Sequence, residues 1–166
     1  MAIQRLIFPV QSAKIVGSTV DGANYITNPA GIDGGQNTWA LLFDASTAEQ
    51  ATWTFQMPSN YTDSPSANIQ FTMTSSSGSV DFNIDTKGLS SGNPNSTVPG
   101  FATATSFAVA VSSSVGFIQE ITASLTTGTL AADRFIVLRL SRAVASSSDT
   151  ASGDAEVRAL TFEYST

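Results

Sequence analysis

Residues 68–85, NIQFTMTSSSGSVDFNID, decide the fold. Ile69, Phe71 and Met73 alternate with Gln70, Thr72 and Thr74. After Ser75-Ser-Ser-Gly78, Val80, Phe82 and Ile84 alternate with Asp81, Asn83 and Asp85. Successive Cβ atoms of a pleated chain point to opposite faces, so this period places every apolar side chain of a strand on one side, facing a core. Two such runs separated by a short Ser/Gly stretch read as a hairpin within one antiparallel sheet, with Asp81 and Asp85 on its solvent face.

The alternation extends in both directions. Trp39, Leu41 and Phe43 share one face, and Ala51, Trp53, Phe55 and Met57 alternate with Thr52, Thr54 and Gln56 until Pro58 ends the run. Residues 87–100, KGLSSGNPNSTVPG, hold too much Gly, Pro, Ser and Asn for regular structure and are expected to carry the chain between sheets. Phe107, Val109 and Val111 define a further strand, and Val115, Phe117, Ile121 and Leu125 the next. In residues 134–142, RFIVLRLSR, Ile136, Leu138 and Leu140 occupy one face while Phe135 and Val137 occupy the other. A strand apolar on both faces is covered twice or lies at a subunit contact, which makes Phe135 and Val137 candidate partner-binding residues. Leu160, Phe162 and Tyr164 close the series.

No stretch keeps a 3.6-residue apolar repeat, so no helix of consequence is expected. The expected fold is all-β: a single-domain, two-sheet antiparallel jelly-roll sandwich of about eight strands, with a closed barrel as the alternative. Residues 1–35 fit this pattern poorly. Short apolar runs at 6–10 and 14–20 precede a Gly/Asn-rich stretch, so an extended N-terminal arm is expected over 1–35 and the jelly-roll domain over 36–166.

Composition narrows the chemistry. The 166 residues include no Cys and no His, which removes thiol nucleophiles, Ser-His-Asp triads, disulfides and ordinary zinc or iron–sulfur sites. Ser and Thr number 24 and 20, yet 42% of residues are hydrophobic and only 12% charged, the opposite of a disordered composition. A net charge of −6 opposes nucleic-acid or anionic-membrane binding, since both need clustered Lys and Arg. No apolar run approaches the ~20 residues of a membrane span, and residues 1–10 lack the apolar core of a secretory signal, so synthesis in a cytoplasm is expected.

Several polar clusters invite a functional reading. Asp81 with Asp85, or Asp149 with Asp154, could supply a glycosidase carboxylate pair, although solubilising charge is the commoner use of a strand's solvent face. Asp133, Asp149 and Asp154 are candidates to share a calcium ion, but the spacing is not that of an EF-hand, and pairing with Arg139, Arg142 or Arg158 is the commoner outcome. No metal and no cofactor are therefore expected. Gly31-Ile-Asp-Gly-Gly35 lacks the ending of a phosphate loop. Asn60-Tyr-Thr62 and Asn95-Ser-Thr97 match the glycosylation pattern, which without a secretory signal means little. Trp39 and Trp53 alternate in register with core residues, which favours burial. Tyr61, between Pro58 and Pro65, is the freer candidate for stacking on a sugar.

The motifs Trp53-x-Phe55-x-Met57-Pro58-x-x-Tyr61 and Gly78-Ser-Val80-Asp-Phe82-x-Ile84 come first. Leu130-Ala-Ala-Asp133 with Phe135-x-Val-Leu-Arg139-Leu-x-Arg142 follow, then Asp149-Thr150, Gly153-Asp154-Ala155 and Phe162-Glu-Tyr164. In order and spacing this run, from about Trp39 to Tyr164, resembles small jelly-roll virion proteins of tailed bacteriophages, some of them head cement or decoration proteins. The resemblance implies no catalytic residues and a place on the capsid exterior, clamping the major capsid protein. A homotrimer is then expected first and a dimer second, with multivalent contact supplying avidity. Ile3, Leu6, Ile7, Phe8 and Val10, apolar but outside the sandwich pattern, are the expected contacts to capsid or sister subunit. The alternative is a tail or fibre domain, or a carbohydrate-binding module, that recognises a host glycan, with Tyr61 at the site and exposed Trp or Tyr as its mark. A jelly-roll glycosidase is a third and weaker reading.

Overall fold

The computed structural model describes residues 2–15, 21–22, 24–27, 39–89, 101–126 and 130–166. Among them the strands are β1 (Ile3–Pro9), β2 (Lys14–Ile15), β3 (Asp21–Gly22), β4 (Asn24–Thr27), β5 (Trp39–Phe43), β6 (Glu49–Gln56), β7 (Asp63–Met73), β8 (Ser79–Leu89), β9 (Thr105–Ala110), β10 (Gln119–Ser124), β11 (Phe135–Arg142) and β12 (Ala155–Ser165). A 3-10 turn at Val10–Ser12 is the sole helical element among the described residues. The eight strands expected beyond residue 35 correspond to β5 to β12, although β10 begins only at Gln119, which leaves Val115 and Phe117, expected in that strand, exposed outside it. The Gly-rich segment around residues 31–35 and most of the expected 87–100 loop lie outside the described residues.

The strands form two six-stranded sheets. The first has the order β10-β7-β12-β5-β4 with β1 also on β12; the second has the order β2-β6-β11-β8-β9 with β3 also on β6. Pairing is antiparallel save for the short β3 alongside β6. Most connections change sheet, which makes the architecture a jelly-roll sandwich rather than two meanders.

The expected hairpin at residues 75–78 is such a change of sheet. β7 pairs with β10 and β12, whereas β8 pairs with β9 and β11. Alternation fixes which face of each strand is apolar but not which strand lies alongside. Here the two apolar faces oppose each other across the core, with the Phe71 and Phe82 rings 5.4 Å apart. β8, which runs on to Leu89, and β9 are antiparallel neighbours in one sheet, so the change of sheet expected between them is not made. Gly78 sits at φ +89°, and a Cβ there would lie 2.7 Å from the Thr150 carbonyl oxygen. The crossing thus nests against the β11–β12 connection in a way only glycine permits.

Phe82 is the hub of the core. Its ring also meets Phe43 at 6.3 Å and Phe107 at 6.1 Å, so it packs against rings from both sheets. Trp53, Ile69, Ile84, Ile136, Leu138, Leu160 and Phe162 are buried around it.

The segment expected to be an arm is extended but belongs to the sandwich. β1 pairs with β12 along its whole length, from Ile3 opposite Ser165 to Pro9 opposite Ala159. Leu6 and Phe8 pack against the core, with the Phe8 ring 5.0 Å from Phe55, and Val10 is buried. The Trp53 indole donates to the Pro9 carbonyl. The boundary at residue 35 therefore does not separate this strand from the rest. β12 offered an edge beyond its three-residue pairing with β5, and β1 fills it.

At the opposite end, Arg142 has no exposed side-chain surface. Its Nε and Nη2 donate to the two Asp149 carboxylate oxygens at 2.9 and 2.8 Å, Nη1 to the Gly153 carbonyl at 2.7 Å, and Nη2 to the Ala151 carbonyl at 2.8 Å. A buried ion pair adds little over a hydrophobic substitute, but removing one partner strands the other charge. Arg142→Ala is expected to lower unfolding free energy by about 3–5 kcal/mol, read as a shift of the urea midpoint; Arg142→Met, which keeps volume but also orphans Asp149, should lie near it.

Candidate functional site

The outer face of the second sheet carries a cross-strand row of Lys14, Thr52, Arg139 and Asp85, set by the β2–β6, β6–β11 and β11–β8 registers. The next rows are Thr54, Val137 and Lys87 on one side and Gln50, Ser141 and Asn83 on the other. Strand geometry supplies this arrangement, because residues two apart share a face and antiparallel partners stand side by side.

Above these rows lies Phe101. Its backbone is tied down next door, where the Ala102 N–H donates to the Thr86 carbonyl at 2.9 Å. The Arg139 guanidinium carbon sits 3.9 Å from the Phe101 ring centroid, and the Lys87 ammonium sits at 5.6 Å. Arg139 is held in turn by Asp85, which accepts from Nε at 2.9 Å and from Nη2 in a two-pronged pair. The result is a trough of about 340 Å³ lined by Lys14, Gln50, Thr52, Thr54, Phe101, Val137 and Arg139. A second hollow of about 390 Å³ shares Gln50 and continues over Glu49, Asn83, Ser141 and residues 143–146. Both fall in the range of roughly 300–1,000 Å³ usual for small-ligand sites. A groove of about 230 Å³ on the first sheet, lined by Arg5, Ile7, Asn68, Gln70, Glu120, Thr161 and Glu163, falls below it. There the polar groups also pair among themselves: Arg5 with Glu163 at 2.7 Å, and Gln70 with Glu120.

The expected site residues are dispersed. Ile3 and Ile7 are 68% and 71% exposed on the outer side of β1, whereas Leu6, Phe8 and Val10 face inward and are not free to hold a partner. Phe135 is exposed, and Val137, half-buried, lines the trough beneath Phe101, so among the described residues the outer apolar face of β11 is covered only in part. Tyr61 is half-buried against Tyr164, ring centroids 5.9 Å apart, and burial with the nearby Asp63 charge raises its phenol pKa. Trp53 is buried as expected. Trp39 is not: at 44% exposed it stands at the start of β5, where the core layer ends.

Asp149 pairs with an arginine, the commoner outcome expected for its cluster, whereas the strand-face carboxylates differ from expectation. Asp81 and Asp85 are buried, the former accepting from the Ser106 hydroxyl at 2.9 Å and the latter paired with Arg139, so neither is a solubilising surface charge. Asp149 is occupied by Arg142, Asp154 accepts from the Ala45 N–H at 3.0 Å, and Asp133 occupies a turn at φ 62°, a conformation Asp tolerates. Among the described residues no three His, Cys, Asp or Glu side chains converge as a metal site. Phe101 and Lys14 were not singled out in the sequence as site residues, and Arg139 was named only as a partner for a carboxylate. Each looks ordinary alone, and only cross-strand register brings them together.

The turn at residues 44–47, which leads into Ala48 and Glu49 of the hollow, has its own charge lock. The Asp44 carboxylate accepts from the Ser46 N–H at 2.6 Å, the Ser46 hydroxyl at 2.7 Å and the Thr47 N–H at 2.8 Å, and these bonds hold its pKa at about 2, below the ordinary 3.8. The Glu49 carboxylate closes the same turn by accepting from the Asp44 N–H at 2.7 Å.

No family model and no curated protein matches the chain. Solved structures do match it in shape. A family 35 carbohydrate-binding module from Clostridium thermocellum superposes with a TM-score of 0.59 at 14% identity, covering 96% of this chain and 97% of that one. The CBM35 from Cellvibrio japonicus Abf62 gives 0.55 at 10% identity, covering 96% and 92%. An isomalto-dextranase from Arthrobacter globiformis T6, complexed with panose, gives 0.62 at 13% identity; 95% of this chain is covered but only 23% of that enzyme. The chain is thus an all-β jelly roll of the kind seen in these modules.

Two measurements check this surface. Acrylamide should quench part of the tryptophan emission readily, and Trp39→Phe should leave only the poorly quenched Trp53; equal quenching in both proteins would contradict the burial. Because the folded pKa of Asp44 lies below its unfolded value, its stabilising effect is complete above about pH 4 and disappears as pH falls through about 2. The urea-midpoint gap between wild type and Asp44→Ala should narrow over that interval, a modest effect at so solvated a site.

Proposed function

We propose that this chain is a carbohydrate-binding module that holds a glycan on the outer face of its second sheet and does not transform it. The observation that carries the reading is the trough itself. One aromatic ring, fixed by Arg139, is combined with the hydroxyls of Thr52 and Thr54, the amide of Gln50 and the Lys14 ammonium on a rigid sheet. A sugar ring presents apolar C–H faces and a rim of hydroxyls, and this set offers both a partner surface and directional hydrogen bonds. The fold shared with the CBM35 modules supports the reading. Trp39 is exposed but stands on β5 of the first sheet, and neither it nor the half-buried Tyr61 lines this trough, so the expected exposed Trp or Tyr in a groove is not what supplies the site.

The non-catalytic reading is supported by the state of two acids at this face. Glycoside hydrolysis needs two carboxyl groups about 5–9.5 Å apart with one free to protonate and one to attack or activate water. Asp85 is committed to Arg139, and Glu49 is 5% exposed and bonded to the Asp44 N–H.

A place on a virion, with the major capsid protein as partner and a trimer as the assembly, rests on the motif resemblance alone. Of its expected anchor segment, Leu6, Phe8 and Val10 pack on the chain's own core. A fibre or tail module meeting a host glycan would join the two readings.

Glycan-array screening followed by titration calorimetry tests the proposal. Retention of a defined glycan class is expected, with Phe101→Ala and Lys14→Ala each weakening binding about tenfold, roughly 1.4 kcal/mol, at unchanged circular dichroism. No binding across the array, or full affinity in both variants, would reject it.

A further inference from the structure

Three features run in line along the outer face of β11. Phe135, with 46% of its surface exposed, stands at one end beside Gln56 and Leu89. Val137 and Arg139 follow in the trough with Phe101, and Ser141 leads into the hollow bounded by Asn83, Glu49 and residues 143–146. These positions are two residues apart on one strand face, so from Phe135 to Ser141 the line covers about 20 Å. Gln50 lines both hollows, so the two adjoin on this face. At the other end the exposed Phe135 ring continues the surface among the described residues.

From this we infer that the ligand is the interior of a linear polysaccharide, several sugar residues laid along β11, and not a monosaccharide or a chain terminus. The inference rests on the carbohydrate reading above and names the substrate class of that same site. Its chemistry is distributed. Phe135 and Phe101 offer apolar faces to different rings, Thr52, Thr54, Gln50 and Arg139 offer hydrogen-bonding groups between them, and Asn83 with Ser141 offers an amide and a hydroxyl at the far end. Each contact is weak alone. Contacts to successive rings of one chain act together, as linked binding sites do, so affinity grows with length until the line is filled.

The test uses the purified full chain and an oligosaccharide ladder, from monosaccharide to hexasaccharide, cut from whichever linear polysaccharide the protein retains on an affinity gel. Dissociation constants from calorimetry should fall at least tenfold between disaccharide and tetrasaccharide and then level off, and masking the reducing end should change nothing. Phe135→Ala and Ser141→Trp, at the two ends of the line, should each weaken hexasaccharide binding about fivefold while leaving the disaccharide constant unchanged. Phe101→Ala, at the centre, should weaken both. Urea midpoints matched to wild type separate these effects from misfolding. A dissociation constant independent of length, or loss of binding when the chain end is masked, overturns the interior-chain inference and leaves the carbohydrate reading standing. Failure to bind any glycan at any length overturns both.

Discussion

A guanidinium with no access to water must find a counter-charge and oxygen acceptors within the protein, and in this fold Arg142 finds them all at one end of the sandwich. Its fork takes both oxygens of Asp149 and the carbonyls of Ala151 and Gly153, which belong to the connection between the two sheets. The Ser79 carbonyl accepts from the N–H groups of Thr150 and Ala151, so the same connection is stitched to the start of β8. Gly153 presses so closely on Ser75 that a Cβ would lie 2.4 Å from its nitrogen. Two crossing segments at this end, residues 74–78 and 143–154, therefore pack together beside one buried charge that the chain itself supplies.

This packing has a consequence for the proposed ligand surface. Residues 143–146, which wall the far hollow, begin immediately after Arg142, and the Ala143 N–H is held by the Asp81 carbonyl at 2.8 Å. The near trough is built differently, by strand register and by one ring stacked on Arg139. Both halves are preorganised, so a glycan need not order the protein on binding, which removes a large part of the usual cost of association. A surface of many small, prearranged contacts suits recognition.

Much of the fold was legible because alternation reports burial directly. β5 through β12 stand where Leu41, Trp53, Phe71, Phe82, Val109, Ile121, Leu138 and Phe162 marked them. What alternation does not carry is the identity of the neighbour. Residues 75–78 looked like a hairpin turn and are a crossing, while the long segment after Lys87 looked like a crossing and links neighbours. Turn length alone favours the hairpin, but an apolar face is satisfied equally well by an opposing sheet. Asp81 and Asp85 misled for a related reason: polar alternation says outward, and outward is not always wet once Phe101, Ser106 and Arg139 cover the position. Trp39 misled in the opposite sense, because a residue in phase with the core can lie beyond the core's edge.

The sequence by itself determined that this protein is an all-β sandwich without thiol or imidazole chemistry, since composition excludes those groups and a two-residue period admits only strands. The tertiary structure alone decided which strands pair, that the N-terminal segment completes a sheet, and that Lys14, Phe101, Val137 and Arg139 meet on one face. Face is a local property of the pleat, read from neighbours in the chain. Adjacency is settled by long-range packing, which no short window of residues contains.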